Sequence, residues 1–243
     1  MRIPLLGHLN LFSATISNNA LLVIFGVALA LILSCSSDNE GGTSVVYGTP
    51  VSYDGEIYET VVIGKQTWMA RNLNYDAPGS VCYDNDSANC AIYGRLYKWT
   101  TAMDLPEECR GDSDCTDQIK KPHQGICPVG WHIPSVDDWN ELDNYVKNWI
   151  GGMPWTGKYL RAKSGWKESD WGDGEDSFGF AALPGGFSRP SGSFEEGGCE
   201  SIWWSSDFKN SYQSYYFTMS VLYVEIKGGF WNTSSFSVRC VKD

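Results

Sequence analysis

No stretch of the 243-residue chain is rich in lysine or arginine, and its formal charge of −11 is not interrupted by a basic block. An acidic surface repels phosphate backbones, so nucleic acid is excluded as a partner class. Histidine is almost missing: His8 lies in the N-terminal apolar region, which leaves only His123 and His132. Neither is accompanied by a GxSxG or comparable nucleophile motif, so a Ser-His-Asp hydrolase has no support. There is no CxxC pair, and neither histidine has finger-like spacing, which argues against zinc. Gly151–Gly152 and Gly185–Gly186 lack the strand-to-helix setting and the lysine of a phosphate loop. Asp137 and Asp138 are neighbours on one helix and do not face each other as paired catalytic carboxylates would. The expectation is a protein that is not an enzyme.

A membrane-spanning run is missing too. The longest apolar segment, Ala20 to Leu33, has 14 residues, whereas crossing the bilayer as a helix takes roughly 20. Cys35 follows it, preceded by Leu33 and Ser34, and this resembles a bacterial lipobox. The expected organisation is a lipoprotein signal peptide over 1–34, lipidation at Cys35, a polar tether over 35–44 and one domain over 45–243. The alternative is a plain signal peptide or short membrane helix with Cys35 incidental. The acidic stretch after Cys35 resembles the export signal that sends lipoproteins of Bacteroidetes-like bacteria outward. The implied address is the bacterial outer membrane, surface-exposed, with the N-terminal lipid as the membrane contact.

Seven cysteines remain after Cys35, so one must stay unpaired. Cys82 and Cys90 bracket a polar loop, and Cys109 and Cys115 bracket another, so local bridges close both without strain. Cys127 with Cys240 is the remaining pair, tying the middle of the domain to its last strand. Cys199 becomes the odd thiol.

The segment Asp54–Gly55 is a hairpin signal, followed by the β-branched run Ile57 to Ile63 and a second turn at Gly64–Lys65. The clearest helix starts at Ser135, with Asp138 completing a capping box. Trp139, Leu142, Tyr145, Val146 and Trp149 then form one apolar stripe. A shorter helix is expected over Tyr97 to Met103. Strands are expected over Phe178 to Leu183 and Ile202 to Ser206, with a turn at Pro184–Gly186. The tail from Tyr212 to Val241 reads as strand broken at Gly228–Gly229. The fold class is α+β, β-rich, with one or two helices packed on short antiparallel sheets.

Six motifs occur in order from about Val51 to the C-terminus: IGKQTWMARNLNY (63–75), CYDNDSANCAIYGRLYKW (82–99), CPVGWHIPSVDDWNEL (127–142), FGFAALPGGF (178–187), WWSSD (203–207) and SVRCVKD (237–243). Together they resemble the Fibrobacter succinogenes major paralogous domain. That family is distantly similar to C-type lectin-like domains and to the formylglycine-generating enzyme fold. The resemblance implies a lectin-like domain and again a Cys127–Cys240 bridge. The EPN or QPD triplet of calcium-dependent sugar sites is missing, as is a late redox cysteine pair.

Two further groups are candidates. Asp170, Asp173, Glu175 and Asp176 surround Gly172 and Gly174 and offer several oxygens for Ca²⁺; the alternative is a solvated turn. Trp155, Trp171 and Trp231 have loop-like surroundings and are candidate ligand-binding residues. Trp68, Trp99, Trp131, Trp139, Trp203 and Trp204 fall within the motifs and are expected to pack. The expected function is a non-catalytic surface lipoprotein binding an extracellular glycan or protein. The alternative is a structural or assembly subunit of a surface or fimbria-like structure.

Overall fold

Short hairpins build the first strands. In a computed structural model, which describes residues 44–110, 115–168, 173–221 and 223–243, β1 (Val51–Tyr53) and β2 (Glu56–Tyr58) flank Asp54–Gly55. Both turn residues have positive φ, 50° and 78°, as a type I′ turn requires. Next come β3 (Thr60–Ile63) and β4 (Gln66–Met69), joined at Gly64. α1 (Ser87–Tyr93) is capped by the Asp86 side chain, which accepts from the Ala88 amide, and is stapled to the preceding turn by Cys82–Cys90. β5 (Tyr97–Lys98) leads into α2 (Trp99–Ala102). The helix expected over Tyr97 to Met103 is thus one turn long, because Tyr97 is taken into a sheet opposite Phe236.

After β6 (Trp131–His132) comes α3 (Val136–Trp149), which starts where its capping box puts it. The Ser135 hydroxyl accepts from the Asp138 amide, and the Asp138 carboxylate accepts from the Ser135 amide. Trp139, Leu142 and Val146 are buried, while Tyr145 and Trp149 reach the rim and stay 41% and 39% exposed. A one-turn helix, α4 (Thr156–Leu160), follows.

The rest is strand and loop: β7 (Phe187–Ser188), β8 (Phe194–Glu195), β9 (Glu200–Asn210), β10 (Gln213–Ser220), β11 (Val224–Trp231), β12 (Ser235–Phe236) and β13 (Val241–Lys242). They form a sheet ordered β11-β10-β9 and two four-stranded sheets, β5-β12-β7-β8 and β3-β4-β13-β6. All named strand pairs are antiparallel. The molecule is α+β and β-rich.

Two sequence expectations fail here. Phe178 to Leu183 is not a strand: Ala181 takes a positive φ of 50°, and only Ala182 makes a bridge, to Arg161. Gly228–Gly229 does not break the tail; β11 runs through it, with the register shifting at Ser214/Tyr215 and Gly229 at φ 104°. Glycine there supplies a bulge.

β9 divides the core. Its side chains alternate between faces, so Ile202 and Trp204 join one apolar cluster and Trp203 the other. Trp204 stacks on Phe236 at 4.1 Å, and Trp139 stacks on Phe217 at 4.4 Å. The six tryptophans expected to pack are all buried. Cys127–Cys240 and Cys109–Cys115 complete three disulfides, and Cys199 is free.

Candidate ligand-binding site

Behind α3 the chain must reverse, and Gly151 and Gly152 do this at φ 71° and 86°. The reversal leaves Met153 and Trp155 on the surface, 55% and 47% exposed. α4 is then tied back to α3 by the Thr156 hydroxyl, which donates to Asp143 at 2.6 Å. Gly157 allows α4 to press on the β10–β11 hairpin: a Cβ there would lie 2.9 Å from Val224 Cγ2. The approach leaves a cleft of about 250 Å³ between α4 and the hairpin turn, walled by Trp155, Lys158, Tyr159, Arg161, Val221 and Tyr223.

Its polar groups are fixed in place. Lys158 Nζ lies 3.0 Å from Glu175. The Tyr223 hydroxyl donates to Glu200, and burial, then the Glu200 bond and charge, push its pKa far above the ordinary 10.0. It is therefore a neutral phenol at every physiological pH. Burial lowers the pKa of the Arg161 guanidinium, partly offset by the Asp173 charge; that guanidinium lies 5.1 Å from the Trp166 ring. Aromatic surface extends beyond the cleft: Trp149 packs edge-on against Tyr159 at 5.4 Å and Phe178 at 5.2 Å.

A larger cleft, about 540 Å³, lies beside β6 and the start of α3. Both of its histidines are engaged. His123 Nδ1 accepts from the Lys120 amide at 3.1 Å and its Nε2 donates to Met103 O at 2.7 Å. His132 sits between Asp243 at 2.8 Å and Asp138 at 3.3 Å. Burial works against a charge on this ring, but bonds to Asp138 and Asp243, with their charges, outweigh it and raise the pKa. In the protonated ring both nitrogens donate, one to each carboxylate.

Of the acidic candidates, the three within the described residues have separate partners. Glu175 pairs with Lys158, Asp176 accepts from the Ala181 amide at 2.8 Å, and Asp173 acts on Arg161. Burial raises the Asp176 pKa, with the Ala181 bond and the Arg239 charge opposing. Asp170 and Trp171, like Cys35, lie outside the described residues. Among the described residues no group of three or more His, Cys, Asp or Glu is arranged to hold a metal ion, and no helix is long and apolar enough to cross a membrane.

Trp155 and Trp231 are not brought together. Trp231 is 55% exposed but ends β11, whereas the cleft is at the Ser220–Tyr223 turn that begins it. Eight residues of strand separate Tyr223 from Trp231, about 25 Å. Gly157 and Tyr159 stand beside Trp155 on α4 and Tyr223 is brought there by the β10–β11 hairpin; the sequence reading singled out none of the three, and only for Tyr223 is the reason long-range packing.

The model of the Fibrobacter succinogenes major domain matches residues 61–242. The chain belongs to that family. Its matched region takes in every buried residue of the two core clusters except Tyr58, all three disulfides and the Trp155 cleft. Comparison with curated proteins and with solved structures gave no match. Within this family member, the cleft between α4 and the hairpin combines exposed aromatic surface with fixed polar groups.

Proposed function

We propose that the protein is a non-catalytic lipoprotein, held at the bacterial outer membrane by acyl chains on Cys35 and displayed outward, whose lectin-like domain binds extracellular glycan in the Trp155 cleft. The observation that carries the reading is the cleft wall: Trp155, Tyr159 and Tyr223 line it beside Lys158 and Arg161. Sugar rings present apolar C–H faces to aromatic side chains and hydroxyls to fixed polar groups. The engagement of both ring nitrogens of His123 and His132 supports a binding rather than a catalytic role. A lectin-like fold is supported by the Cys127–Cys240 bridge, which joins the segment before α3 to the last strand.

A glycan array probed with the purified protein, followed by calorimetry on the best ligand, tests the reading. Trp155→Ala and Tyr159→Ala should each weaken binding by roughly tenfold or more, about 1.4 kcal/mol, while Trp231→Ala binds like wild type. Equal affinity of Trp155→Ala and wild type would remove the site.

A further inference from the structure

β11 is the outer strand of its sheet: β10 lies on one side, and among the described residues no strand pairs with the other. The direction of its backbone groups follows from the hairpin. The Ser220 amide donates to Tyr223 O at 2.8 Å, so Ser220–Tyr223 is a hydrogen-bonded pair. Bonded and non-bonded pairs alternate along an antiparallel ladder. Glu225, opposite Thr218, and Lys227, opposite Tyr216, therefore bond inward to β10. Val224, Ile226 and Gly228 turn their N–H and C=O groups outward. This regular free edge runs from Val224 to the bulge at Gly229, and unpaired edges of this kind are pairing templates.

The charges on the edge select an occupant. Glu225 and Lys227 flank Ile226, 3.0 Å apart in one ion pair, and they are 50% and 38% exposed. We infer that β11 pairs with β11 of a second copy, antiparallel, about a two-fold axis at Ile226. In that register Ile226 faces its own counterpart, Val224 faces Gly228, and each Glu225 faces the other copy's Lys227. The outward groups of Val224, Ile226 and Gly228 all find backbone partners. Opposite charges directly across strands stabilise a pair, and like charges in those positions oppose it. A register one residue away would set Glu225 against Ile226 and lose both cross-strand ion pairs. A two-fold interface of one self-complementary patch is the commonest form of association between identical chains. The inference concerns an edge distinct from the glycan reading and does not depend on it.

Disulfide trapping in the full chain tests it, in a Cys199→Ser background that removes the free thiol. Two differently tagged copies are co-expressed in bacteria, one carrying Glu225→Cys and the other Lys227→Cys. Directly opposed non-bonded positions have Cα atoms about 4.5 Å apart, within bridging range. The expected result is a mixed disulfide between the tags, mapped by mass spectrometry to 225–227, exceeding any 225–225 product. Absence of the mixed disulfide, or equal yields of both products, would overturn the register. A second measurement is native mass in detergent: Glu225→Lys should dissociate the dimer, and Glu225→Lys/Lys227→Glu should restore it. A dimer indifferent to Glu225→Lys would place the interface elsewhere.

Discussion

Asn72 is the residue on which the most buried polar groups depend. Its Oδ1 accepts from Trp203 Nε1 at 2.8 Å and from Arg239 Nε and Nη2 at 3.0 and 2.7 Å, while its Nδ2 donates to Tyr93 O. Arg239 is fully buried, and that burial pushes its pKa down to about 9, with Asp176 opposing; it stays charged at neutral pH. Its guanidinium also donates to Phe180 O and lies 4.3 Å from the Phe180 ring. Removing one partner of a buried charge costs about 3–5 kcal/mol. For a domain of this size that is roughly 6–20 °C in melting temperature. Asn72→Ala should show such a loss by circular dichroism. Asn72→Leu/Arg239→Met should lose less than the sum of its single changes, because it removes the charge along with its acceptor. Additive losses would mean that Asn72 and Arg239 act independently. The motif SVRC announces Arg239 in the sequence, but its depth does not follow from local pattern, since its partners lie 167 and 59 residues away.

At the scale of elements, the start of α3 is fastened by titratable groups. Asp138 Oδ2 accepts from the Ser135 amide at 2.8 Å and approaches His132 Nε2 at 3.3 Å, and Asp243 holds the other ring nitrogen. The His132 pKa is raised above 6.5 in the fold, so its stabilising contribution is complete below 6.5 and is lost as pH rises through the folded value. Asp138 shows the opposite shift: burial opposes the charge, but bonds from His132 and Ser135 lower the pKa below 3.8. Its contribution is complete above 3.8 and is lost as pH falls through the folded value. Melting temperature should therefore fall for wild type as pH rises above 6.5, and less for His132→Gln; parallel curves would show that the ring carries no linked proton. Ser135, Asp138 and the stripe through Trp139 were legible in the sequence because capping and helical period act within a few residues. Phe178 to Leu183 was not, because an apolar run is read alike whether it pairs or coils. Gly228–Gly229 misled for a related reason: glycine signals a turn in isolation, while a strand paired on one side absorbs it as a bulge.

For the whole molecule, β9 is the wall that both apolar clusters share, and Cys127–Cys240 closes the chain around it. That bridge spans 113 residues, whereas Cys109–Cys115 spans 6. Cysteine spacing made both bridges readable; the position of the cleft was not, because Trp155 meets Tyr223 only when α4 is packed on the β10–β11 hairpin. The same topology sends Trp231 to the other end of β11, although both tryptophans look alike in sequence. Chain-entropy arguments assign about 5 kcal/mol to the long bridge and about 2 kcal/mol to the short one. Cys127→Ala/Cys240→Ala should then lower the melting temperature by roughly 10–20 °C and Cys109→Ala/Cys115→Ala by roughly 4–8 °C. Both cysteines of a pair are replaced together, since a lone Cys127 or Cys240 would be free to pair with Cys199. The long bridge also joins the segment before β6 to the strand that pairs with it, so its loss should loosen β6 and β13 first. Hydrogen exchange would show this as lost protection at Trp131 and Val241 with β10 unchanged. Uniform loss across all four sheets would mean instead that the bridge acts wholly on the unfolded chain.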